Sequence, residues 1–92
     1  MNDPMLYAIR LAEKKRKSND VPIACVIADN YGKIVSSATN SVIKNCDPTA
    51  HAEIIAIRKA CQKLKTKNLS NFTMFVTLEP CLMCEYAIYN AD

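Results

Sequence analysis

Glycine and histidine are nearly absent from these 92 residues. There is one of each, Gly32 and His51, so a glycine-dependent turn and imidazole chemistry each have a single address. No apolar run approaches the roughly 18 residues of a membrane-spanning helix, so no membrane role is expected. The opening MNDPMLYAIR lacks the basic start and apolar block of a secretory leader, which makes the cytoplasm the expected location. The cysteines, Cys25, Cys46, Cys61, Cys81 and Cys84, are odd in number. Without a leader, that argues against a disulfide framework. There is no internal repeat and no low-complexity segment, and a chain of this length makes one domain at most.

Half of the residues are apolar, enough for a real core. A chain this short still buries only about 60–65% of its unfolded surface. The net charge of +3 says little, but its distribution says more. RLAEKKRK, residues 10–17, sets five basic side chains against one acid, and RKACQKLKTK, residues 58–67, carries five more. Acids gather late, at Glu79, Glu85 and Asp92. Such runs are either solvated helix faces or a phosphate-binding surface.

Met5, Leu6, Ile9 and Ala12 recur at helical spacing, which predicts an amphipathic helix over residues 4–17. Residues 23–29, IACVIAD, read as a buried strand, NYGK as a turn, and residues 34–40 as the hairpin partner. After a polar loop, Thr49 is the expected N-cap of a helix to Leu64 that should bury Ile54, Ile57 and Cys61. Residues 72–78, FTMFVTL, read as a third strand, and Pro80 should open a third helix in its first turn. The order α-β-β-α-β-α suggests helices on both faces of a small mixed sheet.

Cys81 and Cys84 form a C-x-x-C at the start of the third helix. Free N–H groups and the helix dipole favour thiolate there. The i, i+3 spacing puts both sulfurs on one side of the turn. Alone the motif is weak: a redox pair, half of a structural zinc site, or chance. His51 and Glu53, in HAE, open the preceding helix. Residues two apart in a helix point about 200° from each other, but from a first turn both can reach past the helix end. If the two helix starts converge, one ring nitrogen meets two thiolates. Three protein ligands leave a fourth position open, as in a catalytic zinc site. Glu53 is then a carboxylate free to move protons.

DPTAHAE and TLEPCLMC, with VPIACVIAD before them, resemble the zinc-dependent nucleobase deaminases over nearly the whole chain, and bacterial tRNA adenosine deaminases in particular. That resemblance implies a three-layer α/β/α fold of the cytidine deaminase type. It makes residues 1–92 a single, partial domain whose C-terminal strands and helices are missing. It implies Zn2+ bound by His51, Cys81 and Cys84, with Glu53 as catalytic proton shuttle. Asn40, Val21 and the backbone N–H of Ala52 would hold the base. The implied reaction is adenosine to inosine in a tRNA anticodon loop, by a homodimer. Guanine and cytosine or cytidine deaminases share the pattern, and a zinc-binding remnant without turnover or a thiol redox protein are the other readings. Three residues depart from the family pattern: Ala24 stands where glycine is usual, and Glu85 and Tyr86 where small residues are.

Overall fold

The computed structural model describes residues 3–78 and 80–91, so Glu79 and Asp92 lie outside the described residues. Three helices and three strands follow in the expected order: α1 (Pro4–Lys14), β1 (Ala24–Ala28), β2 (Ile34–Thr39), α2 (Ala52–Leu64), β3 (Thr73–Val76) and α3 (Leu82–Ala91). No described helix is long and apolar enough to cross a membrane.

β1 is the centre of the sheet, in the order β2-β1-β3. Its five residues, ACVIA, are buried without exception. Alternate side chains point to opposite faces of a strand, and each face has its own cover. Ala24 and Val26 pack with Ala8 of α1, joined by Leu11, Ile34 and Phe75. Cys25 and Ile27 pack with Ala52, Ala56 and Ala60 of α2. A strand covered on both sides reads as a continuous apolar run, which is the pattern of residues 23–28, and the α/β/α layering follows from it.

One expectation of the sheet is corrected. β1 pairs antiparallel with both neighbours, Cys25 facing Ala38 on one side and Val76 on the other. All described strand pairs are therefore antiparallel rather than mixed. β2 and β3 run in the same direction, but β1 lies between them. α2 is the crossover that carries the chain past it.

Helix bounds shift for identifiable reasons. Asp3 caps α1, its Oδ1 accepting from the N–H of Met5 at 3.0 Å and of Leu6 at 3.4 Å. The helix ends at Lys14 rather than residue 17, because the chain tightens into i to i+3 bonds from Arg16 to Glu13 and from Ser18 to Lys15. The N-cap of α2 is His51, not Thr49. Asp47 takes up Thr49 instead, accepting from its N–H at 2.9 Å and its hydroxyl at 2.7 Å. α3 starts at Leu82, two residues after Pro80. The face that α2 buries completely is Ala52, Ala56 and Ala60. Ile54, Ile57 and Cys61 are only half-buried, toward α3. Small side chains let the helix axis approach the sheet, and Ser36 closes the gap by donating from Oγ to the Ala56 carbonyl at 2.9 Å.

The five cysteines are free thiols. Cys25 has no exposed surface, and its thiol is pushed up to about 12, first by burial, then by the charges of Glu53 and Cys84. A raised thiol pKa means that the fold favours the neutral form. The resulting stability is complete below about pH 9 and is lost as pH climbs toward 12. Thermal melts should therefore fall more steeply above pH 9 in the native chain than in Cys25→Ala, by up to about 1.4 kcal/mol per pH unit. Identical slopes would contradict this.

Candidate metal centre

The starts of α2 and α3 meet, bringing His51, Cys81 and Cys84 together. His51 sits just outside α2 with extended backbone, φ −72° and ψ 151°, and its side chain makes no capping bond to the helix. That frees the ring to turn toward α3. The chain around Cys81 is built alike: the Cys81 carbonyl accepts the first α3 bond, from the Glu85 N–H at 2.9 Å. The Cys84 side chain, one turn in, is fully buried.

Three donor atoms form a nearly equilateral triangle. His51 Nδ1 lies 3.6 Å from Cys81 Sγ and 3.5 Å from Cys84 Sγ, and the two sulfurs are 3.6 Å apart. A tetrahedral zinc, with bonds of about 2.3 Å to sulfur and 2.0–2.1 Å to nitrogen, spaces its donors ~3.8 Å between sulfurs and ~3.6 Å from sulfur to nitrogen. The residues present therefore fit zinc. They are also the one group of three or more His, Cys, Asp or Glu able to share a metal among the described residues. A redox pair needs only the two sulfurs. An imidazole equidistant from both has no part in that chemistry.

The electrostatics distinguish the two thiols. Cys81 is held below the ordinary thiol value, first by the Cys84 N–H that donates to its sulfur, with the Met83 N–H adding to the effect. This is the helix-start effect on a thiolate. Cys84 is pushed up to about 12, first by burial, then by its bond with Cys81 and the charge of Glu53. Of the two thiols, Cys81 gives up its proton more readily and Cys84 holds its own.

Glu53 is 4% exposed, in the first turn of α2. It lines a cleft of about 360 Å³ together with His51, Cys81, Val21, Asn40 and Leu78. The structure thus brings six of the seven sequence-predicted residues together, Cys84 forming the buried corner of the triangle. Ala52, expected to act through its backbone N–H, buries its side chain against the sheet. Its N–H, in the first turn of α2, has no intrahelical acceptor.

Sequence reasoning missed Asp20. Its carboxylate accepts from the N–H of Ile43 at 2.8 Å and of Lys44 at 3.1 Å. That clamps the 41–46 loop to the segment that carries Val21, and so fixes two walls of the cleft. In SNDVP it reads only as a turn residue, and no local signal marks a partner more than twenty positions away.

Residues 2–92 match the family model described as the cytidine and deoxycytidylate deaminase zinc-binding region. The chain is 47% identical over 81 residues to the tRNA-specific adenosine deaminase of Aquifex aeolicus, covering 88% of this chain and 53% of that protein. It is 41% identical over 87 residues to the enzyme of the same name from Haemophilus influenzae, covering 95% and 50%. The chain thus spans about half the length of the curated relatives it matches. Among solved structures, a guanine deaminase from Bacillus subtilis superposes with a TM-score of 0.88 at 38% identity, covering 97% of this chain and 58% of that one. A structure from work on A-to-I editing by tRNA:A34 deaminases at the wobble position gives 0.89 at 38%, covering 96% and 63%.

Purified chain should carry about one zinc. His51→Ala and Cys84→Ala should each weaken zinc binding by more than the roughly 10–100-fold that loss of an outer partner costs. Because uptake at neutral pH displaces the Cys84 proton, affinity should rise with pH. A competition titration with a chromophoric chelator measures both. Full zinc retention in His51→Ala would overturn the assignment.

Proposed function

The chain belongs to the cytidine and deoxycytidylate deaminase zinc-binding family, and on that premise we propose that it hydrolytically deaminates a nucleobase, adenosine to inosine in a tRNA anticodon loop. The observation that carries this reading is the donor triangle with a buried carboxylate beside it, opening on a cleft wide enough for a base.

His51, Cys81 and Cys84 would hold the zinc. When bound, zinc supplies Lewis acidity, which brings the ionisation of water toward neutral pH. Glu53 does the proton work. Its carboxylate takes a proton from the attacking water and passes it to the ring nitrogen of adenine. As oxygen bonds to C6, Glu53 takes the second proton from the new C6 hydroxyl and gives it to the amine; the C6–N bond breaks, ammonia leaves and the C6 carbonyl of inosine forms. Burial keeps the carboxylate away from bulk water. Val21 offers an apolar wall, Asn40 an amide that pairs with the edge of the base, and Ala52 its backbone N–H. Asp20 holds those walls at their spacing.

The relatives named for tRNA support the anticodon loop as substrate. A second reading, guanine deamination, is favoured by one observation: the guanine deaminase from Bacillus subtilis superposes as closely, at the same identity, as the tRNA:A34 deaminase structure. The exposed apolar side chains of α3, among them Leu82, Tyr86 and Tyr89, support self-association into a homodimer. Five free thiols suit a reducing cytoplasm.

Mass spectrometry of an anticodon stem-loop after incubation should detect inosine, with free guanine and cytosine, assayed in parallel, unchanged. Xanthine from guanine with an inert stem-loop would replace this reading by the second. Glu53→Gln should keep its zinc and lose turnover by roughly 10²–10⁴-fold. Undiminished deamination by that variant would remove Glu53 from the mechanism.

A further inference from the structure

The two basic runs of the sequence do different things. In the second, three of the four lysines are occupied. Lys59 donates from Nζ to the Ser37 carbonyl at 3.0 Å and Lys63 to the Val35 carbonyl at 3.3 Å. Both carbonyls belong to β2, an edge strand, and charged side chains on an edge block further strand pairing. Lys67 donates to the Asn90 carbonyl near the end of α3 at 3.1 Å. The first run ends beside the site. Lys15, at the C-terminal end of α1, and Lys44 of the 41–46 loop both line a cleft of about 220 Å³. Four of its lining residues, Asn19, Asp20, Asn40 and Ile43, also line the cleft that holds His51 and Glu53. The two spaces are neighbours with a shared wall.

Neither Lys15 nor Lys44 has a side-chain hydrogen-bond or ion-pair partner among the described residues. The one acid between them is already engaged: both Asp20 oxygens accept from the backbone, one from the N–H of Lys44 itself. Asp20 thereby anchors the backbone of Lys44 at the wall shared with the base cleft. Ser18 and Ser41, on the same lining, donate from Oγ to the carbonyls of Asp20 and Thr39. Among the described residues, the groups on this lining without a protein partner are the two ammonium groups and the side-chain amides of Asn19 and Asn40.

We propose that the cleft between Lys15 and Lys44 is a phosphate subsite, which holds a phosphate joined to the sugar of the target base or to its neighbour in the strand. Two ammonium groups on one small cleft suit a compact dianion or phosphodiester. A free base has no phosphate to place there. The subsite therefore selects nucleotides and strands over free bases, and in this it rests on the reading of the chain as a deaminase of RNA.

The test uses the zinc-loaded full chain and a fluorescent anticodon stem-loop, with affinity followed by anisotropy between about 50 and 200 mM salt. Lys15→Ala/Lys44→Ala should bind about tenfold more weakly, with a log–log salt slope shallower by about 0.7–1.4. Lys59→Ala/Lys63→Ala, of equal charge change, should keep the native slope. Zinc content and far-ultraviolet circular dichroism check that the variants fold, and Lys15→Gln/Lys44→Gln replaces the alanine pair if it does not. Adenosine and adenosine monophosphate form a second arm. A matching loss for the monophosphate assigns the subsite to the nucleotide's own phosphate, and a loss confined to RNA assigns it to the strand. An unchanged slope in the Lys15/Lys44 variant, or an equal loss in the control, overturns the subsite while leaving the deaminase reading in place. A native chain that deaminates free purine but binds no RNA overturns both.

Discussion

One imidazole nitrogen and two sulfurs, held 3.5–3.6 Å apart, are the constraint on which the rest of the molecule depends. Two of them become anionic when they ligate, and bringing them together costs free energy that a metal offsets. The triangle draws on two helix starts separated by some thirty residues of chain, so neither helix can place it alone. α2 supplies the ring from a residue that is not itself helical, and α3 supplies both sulfurs, from the two ends of its first turn. The unsatisfied N–H groups at both starts give the site a positive field before any ion arrives, which explains why Cys81 ionises more readily than a solvated thiol.

The sheet provides the rigidity that this convergence needs. β1 is buried on both faces and hydrogen-bonded on both edges. The alanine stripe of α2 rests directly on it, so the height of His51 above the sheet is set by three small side chains. A larger residue at Ala52 or Ala56 would lift the helix start and open the triangle. Overpacking of that kind usually costs about 1–3 kcal/mol. Glu53 shares the first turn, and the same packing buries its carboxylate. The cleft walls are held separately, by Asp20 across the chain. His51 and Glu53 therefore rest on one support, the packing of α2 on β1, and the cleft walls on another, the Asp20 bonds to the 41–46 loop.

Much of this was legible in the residues. The order of elements, the layering and the three side chains that meet at the candidate metal site follow from apolar runs, from punctuation such as DP, NYGK and EP, and from the unusual pairing of HAE with PCLMC. What stayed hidden was tertiary. Thr49 is the better cap by chemistry, but the ring of His51 has to clear α2 to meet the sulfurs, so the helix yields two residues. Isoleucines outweigh alanines in any periodicity, and they drew attention from the stripe that actually touches the sheet. Charge counts treat Lys15 and Lys59 alike, although one borders the cleft and the other seals a strand edge. Strand direction was not written locally: an antiparallel β3 follows from where α2 delivers the chain. Asp20 acts through partners more than twenty positions away, beyond any short motif.

X-ray absorption at the zinc edge of the purified chain interrogates the triangle itself. Two sulfurs at about 2.3 Å, one imidazole nitrogen at about 2.0–2.1 Å and one further light atom are the expected shell. A shell of four sulfurs, or one of oxygens with no sulfur, would mean that residues 51, 81 and 84 do not share an ion, and the proposed chemistry would have no centre.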